Sequence, residues 1–287
     1  MIGALETGGT TCRCAIAADP QTIVAEHHIP TTDPVNTLAE VVHFFASQPP
    51  IEALGIAAFG PLDLNSSSPA FGTVTQTPKQ PWQQFGLLNY LQDALEIPCD
   101  ITTDVEAAAN AELQFGAAQD VDSVLYATIG TGVGAALAVR GQRVPQLMHT
   151  EMGHIHVARH PQDAYPGDCP FHGDCLEGMV AAPAIRGRRH AEAASLDETD
   201  PTWDVIAYYL GQFVVAAIRM LAPERLLLGG GIMTRPSLLP EVLKESAQML
   251  GGYHEPPDTA LDHLVQQPQI QQPSLLGALL AADRLRR

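Results

Sequence analysis

Two cysteines and a histidine lie at two-residue gaps within residues 151–177, EMGHIHVARHPQDAYPGDCPFHGDCLE. The spacing of Cys169, His172 and Cys175 allows a tight turn to bring three ligands onto one ion. Zn²⁺ takes thiolate and imidazole tetrahedrally, and two Cys with two His would close its shell, leaving no position for a reactive water. Such a site would be structural. Spacing alone leaves three candidates for the fourth ligand: His154, His156 and His160.

The alternative interpretation of the same residues is a pair of buried free cysteines near a surface histidine. Two carboxylates, Glu151 and Glu177, bracket the cluster. A metal that holds the segment would also fix both carboxylates, as hydrogen bonding to a polyhydroxylated ligand requires. The segment is therefore a predicted metal and ligand site.

Two turns rich in Gly and Thr each lie between short apolar runs, which predicts two β-hairpins. The first turn is ETGGTT, and the second is IGTGVG within SVLYATIGTGVGAALAVRG. Glycine lets a ligand approach the backbone, and threonine adds a hydroxyl donor. One such turn alone is equally typical of an ordinary hairpin, but the pair would supply two sets of amides to a polyphosphate in a cleft between domains. The residues concerned are Gly8, Gly9, Thr10, Gly130, Thr131 and Gly132.

Asp104 lies at a predicted junction between a strand over 97–102 and a helix over 105–115, which is rich in alanine. An Asp at this position is commonly a helix N-cap. The carboxyl ends of strands are also where open α/β sheets carry functional groups. The sequence leaves both roles open.

The segment RLLLGGGIM predicts a buried strand that runs into Gly229, Gly230 and Gly231. Consecutive glycines cost conformational entropy, so we expect either a backbone that lies flat against a nucleotide base or ribose, or a sharp turn. Pro183 precedes the basic run AIRGRRH, which is predicted to be a solvated surface patch.

Two further segments surround these motifs. In the proline-rich segment TPKQPW, which contains Lys79, Trp82 is predicted to be a packing anchor. A helix is predicted from Asp33. Its apolar stripe consists of Val35, Leu38, Val41, Val42 and Phe45.

Composition bounds the class of protein. A chain of 287 residues with 46% hydrophobic content can bury the cores of two domains. The net charge of -17 argues against a nucleic-acid partner. The start MIGALETGG lacks the pattern of a secretory signal, and no apolar run approaches the roughly 20 residues of a membrane span. With five cysteines, these features predict a cytoplasmic protein with no membrane partner.

The motifs ETGGT, the Asp104 junction, IGTGVG, EMGH, CPFHGDCLEG and LLLGGGIM occur in an order that resembles the ROK sugar kinases (repressors, open reading frames and kinases) over the whole chain. CPFHGDC resembles their bacterial zinc-containing fructokinase branch. The resemblance implies an α/β, two-domain actin-like (ribonuclease-H-like) ATPase fold with an interdomain active-site cleft. It implies an N-terminal domain over 1–117, with a C-terminal helix of about 274–287 packing back on it, and a zinc-bearing domain over 118–273. A homodimer is also expected.

The resemblance further implies an ATP-dependent hexose kinase that uses Mg²⁺ and converts D-fructose to fructose 6-phosphate, with Asp104 as the general base. Structural Zn²⁺ would be bound by His154, Cys169, His172 and Cys175. Glu151, His154 and Glu177 would bind the sugar. The implied nucleotide-binding residues are Gly8, Gly9, Thr10, Gly130, Thr131, Gly132, Pro183, Gly229, Gly230, Gly231, Ile232 and Met233.

Three residues depart from the family pattern. Thr11 stands where a Lys is often found, which removes one phosphate contact. Thr103 stands where many glucose-type members have Asn, at a position that normally contacts the sugar, and Glu106 stands where the family usually has Asn. Thr103 fits the fructokinase branch. The alternative functions are a ROK kinase for mannose or glucose and a non-catalytic sugar-binding regulator. The family's repressors carry a winged helix ahead of the first loop, and the few residues before Glu6 leave no room for one.

Overall fold

The structure is a computed structural model that describes residues 1–142, 144, 148–253 and 260–287. The chain divides into two compact units. Unit 1 comprises Met1–Phe115, Gly141–His149 and Ile270–Arg287, and unit 2 comprises Gly116–Arg140 and Thr150–Gln269.

Strands and helices alternate along much of the chain. The strands are β1 (Ile2–Thr7), β2 (Thr11–Ala17), β3 (Ile23–Pro30), β4 (Leu54–Ala58), β5 (Thr73–Val74), β6 (Phe85–Gly86), β7 (Cys99–Thr103), β8 (Ser123–Ile129), β9 (Val133–Val139), β10 (Arg225–Gly229) and β11 (Val265–Gln266). The α-helices are α1 (Pro34–Ala46), α2 (Leu87–Leu95), α3 (Asp104–Phe115), α4 (Leu176–Val180), α5 (Ala182–Arg189), α6 (Thr202–Leu221), α7 (Leu238–Leu250), α8 (Leu261–Leu264) and α9 (Pro273–Leu285).

The main sheet of unit 1 has the strand order β3-β2-β1-β4-β7. The predicted first hairpin is confirmed, because β1 pairs antiparallel with β2. Strands β1, β4 and β7 are parallel, and their last residues Thr7, Ala58 and Thr103 stand in register. The turn after Thr7 and the residue after Thr103 therefore leave the sheet at the same edge.

Within unit 1, helix α9 packs closely on α3 and β4 because the facing residues are small. A Cβ atom on Gly55 of β4 would lie 1.8 Å from the carbonyl oxygen of Ala278, and one on Gly277 would lie 2.0 Å from that of Ala107 in α3. The backbones of α9, α3 and β4 can approach this closely only without those side chains. This packing holds α3, and with it the β7–α3 junction, against the sheet.

Helix α1 begins where the sequence predicts it. The Asp33 side chain accepts the amide of Asn36 at 3.0 Å, as an N-cap does. The predicted apolar stripe is wrong at Val35, which is 63% exposed. Phe44 is buried instead. The buried face of the helix includes Pro34 in the first turn and leaves Val35 outside it.

The sheet of unit 2 repeats the plan of the first, with the strand order β11-β10-β8-β9. The predicted second hairpin is confirmed, because β8 pairs antiparallel with β9. Strand β10 is parallel to β8, with Gly229 beside Thr128. The second Gly/Thr turn and the three-glycine segment therefore leave this sheet at one edge.

Helix α6 is long and apolar enough, by length and composition, to cross a membrane. Its buried side chains, among them Trp203, Tyr209 and Phe213, belong instead to the hydrophobic core of unit 2. Burial in this core accounts for the apolar character of the helix.

Candidate functional site

The first Gly/Thr turn presents backbone to solvent. The amide of Gly8 donates to the carbonyl of Thr11 at 3.0 Å, and a Cβ on Gly8 would lie 2.5 Å from that oxygen. The Thr31 hydroxyl donates to the Gly8 carbonyl at 2.9 Å. Among the described residues, the amides of the exposed Gly9 and Thr10 have no acceptor. These amides can bind an anion.

The Asp104 carboxylate lies at the same sheet edge and is not the helix N-cap. The hydroxyl of Thr103 accepts the amide of Glu106 at 3.2 Å, which is the capping bond. The Asp104 carboxylate accepts the neighbouring amide of Val105 at 2.9 Å. Because Thr103 caps α3, the cap does not account for Asp104.

The pKa of Asp104 is raised from 3.8 to about 6. Burial is the main cause, because it disfavours the ionised carboxylate. The Val105 amide opposes this rise in pKa, the charge of Glu6 adds to it, and the charge of His149 opposes it. A carboxyl with this pKa is ionised at neutral pH and still basic enough to accept a proton.

Glu6 is a second carboxylate near Asp104. Burial raises the pKa of Glu6 also, while Arg13, 3.7 Å away, lowers it. Within the described part of the chain, the Oε2 atom of Glu6 is buried and has no hydrogen-bond partner. The edge of unit 1 therefore carries two carboxylates that are costly to ionise.

The second Gly/Thr turn is held by two elements that follow it in the chain. The amide of Gly130 donates to the carbonyl of Gly132 at 2.9 Å, and the Gly130 carbonyl accepts the amide of Ala182 at 2.8 Å. The Glu177 carboxylate accepts the amide of Val133 at 2.9 Å. The structure thus brings the turn next to the start of α5, where Pro183 follows Ala182.

Gly229 is the last residue of β10, and the two glycines that follow it have different surroundings. Gly230 has φ of 90°, and a Cβ there would lie 2.4 Å from the carbonyl oxygen of Ile129. This glycine is needed because the β10 and β8 ends pass each other closely. A Cβ on Gly231 would meet nothing within 4 Å. The open space beside Gly231 fits the expectation of a backbone that faces a ligand.

Gly231 and Ile232 line a cavity of about 300 Å³ in unit 2. Trp203 and Arg235 form part of its wall, with the Arg235 guanidinium 4.0 Å from the centre of the Trp203 ring. Glu198, also in the wall, lies 2.8 Å from Arg235. The sequence does not predict Trp203 or Arg235 in this role, and its only signal for them is the proximity of Arg235 to the glycines. Gly229, Gly230 and Met233 line a second cavity of about 140 Å³.

The structure brings His154, Cys169, His172 and Cys175 together, with one ligand atom from each within 4.8 Å of the others. The Nδ1 atom of His154 lies 3.5 Å from the Cys175 sulfur and 3.6 Å from that of Cys169. The Cys169 sulfur lies 3.7 Å from Nδ1 of His172. Zn–S and Zn–N bonds at a tetrahedral angle would separate sulfur from nitrogen by about 3.6 Å. The residues present therefore fit a tetrahedral metal.

The other two histidines that the spacing allowed are outside this group. His160 packs its ring edge-on against Tyr208, with ring centres 4.9 Å apart, and its Nδ1 accepts the amide of Gln162. His156 pairs through its backbone with Cys175.

The three predicted sugar-binding residues also converge. The Nε2 atom of His154 lies 4.0 Å from carboxylate oxygens of both Glu151 and Glu177. The other oxygen of Glu177 accepts the Val133 amide. Glu177 therefore links the second Gly/Thr turn to the His/Cys cluster.

The basic run after Pro183 is not a solvated patch throughout, so that prediction is wrong for Arg188. The Arg188 guanidinium lies 2.7 Å from Asp163, with side-chain exposures of 8% and 6%. The Tyr209 hydroxyl donates to the same carboxylate at 2.9 Å. Burial is possible because this pair satisfies its charges and fastens the residue-163 segment to α5 and α6.

Two further residues that sequence reasoning left without a role lie beside the site of unit 1. The Nδ1 atom of His149 is 3.1 Å from the carbonyl oxygen of Leu62. The ammonium group of Lys79 donates to the carbonyl of Gly9. The proline-rich surroundings of Lys79 gave no indication of this contact.

Comparison with known proteins decides the family, since the profile of the ROK family matches residues 2–284. The chain belongs to the ROK family. It is 37% identical to the fructokinase of Pediococcus pentosaceus, over 99% of this chain and 98% of that protein. It is 35% identical to the fructokinase of Zymomonas mobilis, over 98% of this chain and 95% of the relative.

Among solved structures, a ROK family glucokinase from Streptomyces griseus, in complex with glucose and AMPPNP, matches with a TM-score of 0.75 and 20% identity. The match covers 99% of each chain. The predicted α/β actin-like ATPase fold is confirmed, as is the resemblance to ROK sugar kinases.

Proposed function

We propose that this ROK protein is an ATP-dependent fructokinase that converts D-fructose to fructose 6-phosphate. Its similarity to two fructokinases over nearly their whole length supports the substrate. The observation that carries the chemistry is the Asp104 carboxyl, with a pKa of about 6, at the sheet edge that also bears the Gly8–Thr10 turn.

Asp104 acts as the general base. It accepts the proton of the 6-hydroxyl as that oxygen attacks the γ-phosphorus of ATP in line. The amides of Gly9 and Thr10 bind phosphate oxygens at the same edge of unit 1. Mg²⁺ enters with ATP as part of the substrate. Phosphoryl transfer depends chiefly on position and charge, and these residues supply both.

Unit 2 binds the rest of the nucleotide and the sugar. Gly130, Thr131 and Gly132 bind phosphates, and the adenosine occupies the region of Pro183 and the cavities lined by 229–233. AMPPNP is an analogue of ATP, and its presence in the structure of a ROK family glucokinase with the same fold supports ATP as the nucleotide. Glu151, His154 and Glu177 orient the sugar hydroxyls. Two carboxylates and an imidazole suit a ligand whose groups both donate and accept hydrogen bonds.

Zn²⁺ is the proposed occupant of the His/Cys cluster, with His154, Cys169, His172 and Cys175 as its four ligands. Bound there, the metal supplies a structural crosslink with no open coordination position. The chain's own part is to place His154 and Glu177 for the sugar. The agreement of the sulfur–nitrogen distances with tetrahedral geometry supports the assignment. A cytoplasmic homodimer, without nucleic-acid or membrane partners, remains a prediction.

The test is a panel of fructose, mannose and glucose assayed with ATP and Mg²⁺. We expect phosphoryl transfer to fructose with the highest kcat/KM. A higher value for mannose or glucose would favour a ROK kinase for that sugar. If calorimetry showed sugar binding but no hexose were phosphorylated, the assignment as an enzyme would be wrong, and a sugar-binding regulator would be favoured.

A further inference from the structure

Lys79 contacts the first phosphate-binding turn and has no role in the reaction described above. Its ammonium group donates to the Gly9 carbonyl and lies 5.9 Å from the centre of the Phe59 ring. The sequence has only two lysines, Lys79 and Lys244. Lys244 is exposed on α7 and pairs with Glu241 at 2.9 Å. One of two lysines in an acidic chain is therefore placed on this turn.

The backbone at Lys79 is fixed by a buried tryptophan. Lys79 precedes a short 3₁₀ helix, Gln80–Trp82, and its carbonyl accepts the amide of Trp82 at 2.9 Å. Trp82 is fully buried, and its indole N–H donates to the carbonyl of Thr32 at 2.8 Å. The predicted packing anchor thus holds the lysine in place, while four side-chain carbons leave its ammonium free to move toward a ligand.

The carboxylates around the turn would make binding of a polyphosphate unfavourable unless a cation lay nearby. Glu6 and Asp104 have raised pKa values, and each carboxylate would repel a polyphosphate. Arg13 is already beside Glu6. The present partner of Lys79 is a neutral carbonyl, and a phosphate oxygen forms a hydrogen bond roughly twice as strong with an ammonium group. ATP at the turn would therefore attract the ammonium away from Gly9.

We propose that Lys79 is a further catalytic residue, whose ammonium group binds the γ-phosphoryl group while it is transferred. The inference rests on the proposed binding of ATP at the Gly8–Thr10 turn. The bond between the γ-phosphorus and its bridging oxygen breaks, and a bond to the sugar oxygen forms. The hydroxyl proton passes to Asp104, and ADP leaves with the bridging oxygen. Lys79 keeps its proton and offsets charge on the transferred group.

The first experiment compares Lys79→Met with Lys244→Met, which removes the same charge elsewhere. We expect Lys79→Met to lower kcat/KM for ATP by about 10²–10³-fold, as loss of one transition-state donor does. Lys244→Met should stay within about twofold, because an exposed pair contributes little. Lys79→Arg should recover part of the loss, since it restores the charge with a different shape.

Nucleotide binding then separates a γ-phosphate contact from support of the turn. By calorimetry, Lys79→Met should weaken AMPPNP more than about tenfold, and ADP and fructose by less than about threefold, since only AMPPNP carries the third phosphate. Equal losses for AMPPNP, ADP and fructose, together with a lower Tm, would show that Lys79 only supports the turn. That result would overturn the proposal.

Amine acylation of the wild-type protein gives a readout that depends on neither a variant nor the sugar. We expect AMPPNP with Mg²⁺ to slow acylation of Lys79 by at least about fivefold, because a phosphate-bound ammonium is shielded. ADP should protect it less, and Lys244 should react equally in all samples. Protection of Lys79 without transfer to any hexose would retain the contact between Lys79 and the γ-phosphate but reject both its catalytic role and the fructokinase. Transfer to fructose without such protection would retain the fructokinase and reject the role of Lys79.

Discussion

The two Gly/Thr turns share a backbone and differ in their neighbours. Each joins an antiparallel pair, β1–β2 or β8–β9, and each leaves a sheet beside the end of a parallel strand. The first turn meets an ammonium group and lies at the edge that bears Asp104. The second turn meets Glu177 and the three-glycine segment.

The different neighbours of the two turns suit them to different functions. Two side chains lie around the first turn: Asp104, which can accept a proton, and Lys79, whose ammonium group can bind a phosphoryl group. Around the second, Glu177 holds the amide of Val133, and a cluster that fits a metal holds His154. Under the proposed function, the same kind of backbone turn would serve chemistry in unit 1 and fixed binding in unit 2. Function follows from the side chains placed against each loop.

The sharpest test of this division is Asp104→Asn. The amide keeps the shape of the side chain and removes its basicity, so we expect kcat for fructose phosphorylation to fall by at least about 100-fold. Calorimetric binding of fructose, assigned to unit 2, should change far less. Asp93→Asn, on an exposed position of α2, is the matched control and should retain full activity. Near wild-type kcat in Asp104→Asn would place the base elsewhere.

Loss of the proposed zinc should act on unit 2 through sugar binding and stability, and not through the chemical step. We expect the wild-type protein to contain about one zinc ion per chain. Cys175→Ser should contain less zinc, and its free energy of unfolding should be lower by at least about 3 kcal/mol. The KM for fructose should rise about tenfold or more, because the proposed sugar-binding residues His154 and Glu177 would lose their position. Metal analysis after gel filtration, with thermal melting, measures both.

Cys99→Ser makes the same change at a buried cysteine of unit 1, outside the His/Cys cluster. It should retain the zinc. Full zinc content and unchanged melting in Cys175→Ser would remove the proposed site.

The ionised carboxylate of Asp104 in unit 1 should also lower the free energy of unfolding. The pKa of Asp104 is higher in the folded protein than its ordinary 3.8, so folding binds the proton more tightly. The cost is fully present above about pH 6 and disappears below about pH 4. Asp104→Asn should therefore be more stable than wild type by about 2–3 kcal/mol at about pH 8, and the gain should shrink as pH falls. Urea unfolding across this range measures it, and a less stable variant at about pH 8 would contradict the sign.

The smallest expected effects compare the turns themselves. A Cβ on Gly8 would press on the backbone oxygen of Thr11, so Gly8→Ala should cost about 1–3 kcal/mol of stability. A Cβ on Gly132 would lie 2.7 Å from a carboxylate oxygen of Glu177, at the movable end of a side chain. Gly132→Ala should cost less than about 1 kcal/mol and raise the KM for fructose by displacing Glu177. Equal melting temperatures for the two variants would remove the distinction.

The sequence predicts what depends on local pattern. Short apolar runs on either side of the Gly/Thr turns predict both hairpins, and the close spacing of Cys169, His172 and Cys175 brings three metal-binding side chains into one loop. Asp104 could be placed at a junction because the helical alanines begin just after it. The sequence could not decide between cap and base, since that depended on which hydroxyl, here that of Thr103, takes the capping bond.

The remaining features of the site depend on contacts between residues far apart in the chain. Lys79 meets Gly9 across 70 residues, and Glu177 meets Val133 across 44. The burial of Arg188 depends on Asp163, 25 residues away. Such pairs have no periodicity or spacing that a single sequence displays. The three glycines likewise look alike in sequence, and only their surroundings separate Gly230 from Gly231.

The placement of His154 has a consequence for the direction of hydrogen bonds. Its Nδ1 faces the two sulfurs and its Nε2 faces the carboxylates of Glu151 and Glu177. With a metal on Nδ1, the neutral ring must carry its proton on Nε2, which can then only donate. A sugar hydroxyl bound beside it would accept this hydrogen bond and donate its own to a glutamate carboxylate. An ion that never touches the sugar would thus fix the direction of the hydrogen bond at that hydroxyl.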